Sequence, residues 1–132
     1  MSRKVKTTKR FVNFKMDNEV YKNRRKVLDF IYELKNEGFK LPRIDVRIGT
    51  SQKCNVLGKA RLKDNIIWIA KKCVGDSNSN FIRTTVYHEL LHAIYGCNHV
   101  KGCPIMSAVQ PDVAVNKLKS IEIFKKYYNK YN

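Results

Sequence analysis

The chain has 132 residues, enough for one domain with a single core and too few for a second. It carries 27 Lys and Arg against 11 Asp and Glu, a net charge of +16, which favours anionic partners or substrates and makes nucleic acid a partner to consider. No stretch approaches the roughly twenty apolar residues of a membrane span, and the N-terminus has charge but no apolar run of signal-peptide length. These features lead us to expect an intracellular, cytoplasmic monomer with no membrane partner.

Residues 1–15 hold six basic side chains and no acid, and read either as a basic arm or as an edge strand through Phe11, Val12 and Phe14. A helix is expected from Asn18 to Glu37. Val20, Tyr21, Val27, Leu28, Ile31 and Leu34 recur at three and four and form its buried stripe. Lys22, Arg25, Lys26, Lys35 and Asn36 face water, Asp17 or Asn18 caps the start, and Gly38 ends it. The strict alternation of Arg43 to Ile48 predicts a half-buried strand, followed by a loop over 49–54. Val56 to Leu62 and Ile66 to Ala70 form a hairpin around Asp64-Asn65. Ile66 to Ala70 is apolar on both faces and is expected to be central, whereas Lys59, Arg61 and Lys63 give segment 56–63 the look of an exposed edge.

The turn cluster at 75–80 supplies a cap at Asn78 or Ser79 for a helix from Asn80 to Tyr95. On it, Phe81, Thr85, Val86, Leu90, Ala93 and Ile94 are expected to pack inward. His88 and His92 stand four apart, so a helix projects both imidazoles from one face, where they can share a tetrahedral metal. Glu89 lies beside them, placed to take a proton from activated water rather than to bind the ion. Gly96 permits the left-handed turn that ends the helix, after which His99 can return to the same metal. These are the only three histidines of the chain, and all fall within twelve residues. One Zn2+ suits three imidazoles and an open position. The bland alternative is a pair of packed histidines with Glu89 as a solvated charge.

The stretch His88 to Met106, HELLHAIYGCNHVKGCPIM, resembles the metzincin branch of zinc metallopeptidases, whose signature is HExxHxxGxxH followed by a methionine-bearing turn. Here the motif reads HExxHxxxGxxH, one residue longer before the glycine. Gly96 and His99 are displaced together, which keeps His99 as the third ligand; Asn98 is the second choice, since a neutral amide suits harder cations. The separation from His88 to Met106 is similar to that of archaemetzincins. Unlike them, the chain has no later CxxC, so a second zinc is not expected. The resemblance implies an α+β fold of minimal zincin type: a small mixed sheet packed on helices, with the zinc site on the central helix and Met106 beneath the ligands. It further implies that substrate backbone adds to the edge of the hairpin as an extra strand, and that peptide bonds are hydrolysed with Glu89 as general base. Tyr95 is the nearest tyrosine for an assisting role, with packing as its alternative.

A last helix is expected from Gln110-Pro111-Asp112, with Val113, Leu118, Ile121, Phe124, Tyr128 and Tyr131 as its stripe. Four reduced cysteines are the default inside a cell, with Cys54–Cys73 and Cys97–Cys103 as the bridges that spacing allows. Residues 1–132 therefore read as one zincin-like domain, a zinc metalloendopeptidase acting on protein or peptide. Two alternatives stay open: a SprT-like protease for nucleic-acid-bound proteins, and a basic nucleic-acid-binding protein whose zinc is structural. Glu89 and the open fourth position favour an enzyme.

Overall fold

A computed structural model of the protein describes residues 3–49, 57–76, 78–108 and 115–132, with side chains described from Val20 onward. Among the described residues, four helices and three strands follow in the order α1 (Arg3–Asn36), β1 (Asp45–Gly49), β2 (Gly58–Ala60), β3 (Ile66–Ala70), α2 (Lys71–Asp76), α3 (Ser79–Tyr95) and α4 (Lys117–Tyr131). The fold is mixed α+β, as expected.

Helix α1 extends back to Arg3, so the expected boundary at Asn18 falls inside it and residues 3–15 are helical rather than an edge strand. No Gly or Pro interrupts Arg3–Asn36, and Lys, Arg and Met are good helix formers, which outweighs the short Phe11-Val12 pattern. Val27, Ile31 and Leu34 are buried, whereas Val20 and Tyr21 are exposed, so the stripe begins about two turns later than the periodicity predicts.

The sheet has the order β1-β3-β2, with β1 parallel and β2 antiparallel to β3. Ile66–Ala70 is thus the central strand and Gly58–Ala60 an edge. Pleating divides the side chains in two. Val46, Ile67 and Ile69 point into the core shared with Val27, Ile31 and Leu34 of α1 and Val86, Leu90 and Leu91 of α3. Arg47, Trp68 and Lys59, aligned as cross-strand partners, share the opposite face. The turn after β2 docks on the end of α3. The Lys63 amide donates to the His92 carbonyl at 3.2 Å and the Asn65 amide to the Ala93 carbonyl at 3.5 Å. Both turn residues hold positive φ, 59° and 54°.

Helix α3 runs through the middle of the molecule and touches α1, α4, β2 and β3. It is therefore buried on nearly all sides: Ile82, Arg83, Tyr87 and Leu91 are covered along with the expected Val86, Leu90 and Ala93. Burial extends beyond the residues expected to pack inward, because two helices and the sheet enclose the helix, while His88 and His92 face the cleft. Arg83 is tolerated there because Glu33 of α1 accepts from its Nε at 2.6 Å and from Nη2 at 3.1 Å, while the Tyr87 hydroxyl donates to the same carboxylate at 2.5 Å.

Helix α4 begins at Lys117, capped by the Asn116 side chain, which accepts from the Lys119 amide at 2.9 Å. The expected start at Gln110-Pro111-Asp112 and Val113 lie outside the described residues. At about 100° per residue Leu118 stands roughly 120° round the helix from Phe124. Ser120 and Phe124 are buried, and Leu118, expected inside, is 80% exposed. Among the described residues no helix is long and apolar enough to cross a membrane.

Candidate metal centre

The end of α3 builds the site. Asn78 caps its start by accepting from the Phe81 amide, and Gly96, at φ 67°, turns the chain back. The Gly96 amide donates to the His92 carbonyl at 3.0 Å and the Cys97 amide to the Leu91 carbonyl at 3.2 Å. This reversal delivers His99 to the ligand face. The His99 ring centroid lies 5.1 Å from that of His88 and 4.8 Å from that of His92. One nitrogen from each of the three rings falls within 4.8 Å of the others. A loop closed by backbone bonds holds His99 in place: the Val100 amide donates to the Met106 carbonyl at 2.7 Å and the Cys103 amide to the Val100 carbonyl at 3.1 Å. Asn98, the second choice for this ligand, is exposed.

Each helical imidazole is oriented by a backbone carbonyl. His88 Nδ1 sits 2.5 Å from the Ile105 oxygen and His92 Nδ1 2.6 Å from the Cys97 oxygen. A carbonyl can only accept, so both Nδ1 atoms carry the proton, and both Nε2 atoms present lone pairs. Those two Nε2 atoms face each other at 3.1 Å. Two lone pairs at that distance repel unless a cation lies between them. Tetrahedral zinc with Zn–N bonds of about 2.0–2.1 Å sets its ligand nitrogens roughly 3.3 Å apart, so the donor set fits the ion in type and the His88–His92 pair fits it in spacing. Burial holds the His88 pKa down to about 4, with His92 and His99 adding to the effect, and burial lowers that of His92 as well. Neutral imidazole is the ligating form.

Glu89 is buried beside the ligands, and burial alone pushes its carboxyl up to about 8. A dication alongside would favour the carboxylate and bring that value down. Gly58 of β2 makes room for it: a β-carbon there would lie 2.7 Å from Glu89 Oε2. Met106 is fully buried directly after Ile105, in a turn, and its amide donates to Cys103 Sγ at 3.3 Å. Cys103 also accepts from the Tyr127 hydroxyl at 3.4 Å. Cys97 and Cys103 are both thiols, so the bridge allowed between them is not formed; Cys54 lies outside the described residues. Tyr95 is turned away, stacked on Tyr131 and accepting from Asn132 Nδ2, and its role is packing.

The three histidines and Glu89 open into a cleft of about 920 Å³, lined also by the five consecutive residues Leu57 to Arg61 and by Arg47, Trp68 and Ile105. Sequence reasoning missed three contributors. The Cys97 and Ile105 carbonyls are backbone groups that leave no mark in residue types. Gly58 carried a signal, a glycine inside a strand pattern, which marks close approach of another group. Comparisons with protein-family models, with curated proteins and with solved structures find no match for this chain.

Proposed function

We propose that the protein is a zinc-dependent peptidase, in which His88, His92 and His99 hold one Zn2+ and Glu89 is the general base. The observation that carries this reading is the pair of Nε2 lone pairs converging at 3.1 Å next to a buried carboxyl to which no cationic side chain is paired among the described residues. Bound there, the ion would supply a Lewis acid and lower the pKa of water to about 7. Glu89 takes the proton of the attacking water and returns it to the leaving amine. Leu57 to Arg61 form a continuous cleft wall on an edge strand, whose outward amides and carbonyls can pair with an extended substrate backbone. Two features speak against a purely structural zinc. His99 is exposed at the cleft, and among the described residues the cluster has three ligands, leaving a position open. The placement of Met106 and the HExxHxxxGxxH spacing support a metzincin-like assignment.

The test is cleavage of an unstructured protein by wild type and by Glu89→Gln, both with zinc content measured. Wild type should cut, and Glu89→Gln should keep its zinc and lose about a hundredfold to ten-thousandfold in rate. Zinc-replete wild type that cuts nothing across a broad substrate panel would remove the assignment.

A further inference from the structure

The edge strand β2 consists of Gly58, Lys59 and Ala60. Its two small residues pair with Ile69 and Ile67 on the buried side, where Gly58 meets Glu89. Its single long side chain, Lys59, points to the other face, next to Trp68. Three cations line the cleft, and two of them have carboxylates of their own. Asp45 holds Arg47 through Nε at 3.2 Å and Nη2 at 3.1 Å, and Asp64 lies 3.8 Å from Arg61 Nη1. Lys59 has no carboxylate within reach among the described residues. Its ammonium lies 5.7 Å from the centre of the Trp68 ring, and its side chain is exposed.

We propose that Lys59 is a specificity-determining residue that selects polypeptide substrates with an acidic side chain at the position facing it across the β2 edge. This rests on the peptidase reading and on substrate backbone pairing with β2. A strand added to β2 alternates its side chains between the two faces of the sheet. Those facing the buried side pass over Gly58 and Ala60, small residues that carry no charge to select among them. The one facing the other side meets an unpaired ammonium. Opposite charges in cross-strand positions attract and like charges repel, each by a factor of about 1.4 to 5. Glu should therefore be preferred over Lys at one substrate position by about twofold to twenty-five-fold. Trp68 behind Lys59 holds the ammonium over its face and offers no competing carboxylate.

The experiment uses peptides in which one position at a time, from three residues before the cleaved bond to three after, is Glu, Gln or Lys. With wild type, kcat/KM should favour Glu at a single position; Lys59→Glu should reverse the order there and leave the other positions alone, and Lys59→Gln should flatten it. An unchanged profile in Lys59→Glu overturns the proposal while leaving the peptidase reading intact. A second arm needs no turnover. Trp68 is the only tryptophan of the chain, so its fluorescence reports ligand at Lys59. Zinc-loaded Glu89→Gln should bind the Glu peptide more tightly than the Lys peptide, and Lys59→Glu in that background should invert the order. If peptides bind with this charge preference and none is cut, the peptidase reading fails and the acidic-ligand site stands. If acidic peptides leave Trp68 unaffected, or only a single-stranded oligonucleotide binds in a Lys59-dependent way, the proposal fails.

Discussion

Gly58→Ala isolates the placement of the general base. A β-carbon at residue 58 would stand 2.7 Å from Glu89 Oε2, 2.9 Å from Cγ and 3.1 Å from Cδ. Carbon atoms rest at about 3.5–4.0 Å, so Cγ must recede by roughly 0.6–1 Å and carry the carboxyl with it. Glu89 is a flexible side chain bordering a cleft, so it can swing without unpacking the core. Gly58 is not among the glycines with positive φ, so alanine fits the backbone, and reduced freedom of the unfolded chain offsets much of the contact cost, by about 0.4–1 kcal/mol. The loss therefore falls on chemistry. A misplacement of about 1 Å costs on the order of a hundredfold in rate, within the general-base contribution. Gly58→Ala should keep full zinc, change its melting temperature little, and lose about a hundredfold in kcat. Because the effect acts through Glu89, it should vanish in the Glu89→Gln background. Wild-type kcat in zinc-replete Gly58→Ala would refute the reasoning, as would a full further loss in the double variant.

Other outcomes follow from the same geometry. His99→Ala should weaken zinc binding by orders of magnitude in a competition titration, and Asn98→Ala should leave it unchanged, because the His99 ring reaches the other two and a neutral amide is a poor zinc ligand. In metal-free protein, Glu89 has a folded pKa of about 8 against an ordinary 4.5, so the folded state binds the extra proton as pH falls from 8. Its melting temperature should thus rise between pH 8 and 6.5, and Glu89→Gln should abolish that rise. Below pH 6.5 the sign reverses for His88, whose folded pKa of about 4 leaves the unfolded chain binding more protons, so this residue lowers stability down to about pH 4. Glu33→Ala strands the Arg83 guanidinium, only 8% exposed, and should cost about 3–5 kcal/mol by denaturant unfolding; replacing Arg83 as well with Met should recover part of that.

What the sequence determined by itself was local. The spacing of four between His88 and His92 places two rings on one helix face whatever the helix packs against, and Gly96 after Tyr95 permits one conformation that other residues resist. Alternation in Asp45–Gly49 and the apolar run Ile66–Ala70 likewise announced their strands, and the lysine-bearing Gly58–Ala60 its edge. The tertiary structure decided everything that depends on residues distant in sequence. Val20 and Tyr21 share the period of Val27 and Ile31, yet only the latter find a sheet and α3 to cover them. Leu118 is left in water in the first turn of α4, whereas Phe124 further along is fully buried. The same holds at the site. Two imidazoles on a helix face are not yet ligands; the Cys97 and Ile105 carbonyls choose their tautomer, and β2 closes over Glu89 with a glycine. Periodicity reports which side of an element is apolar, while only packing selects the neighbour that covers it and the backbone group that meets each polar atom.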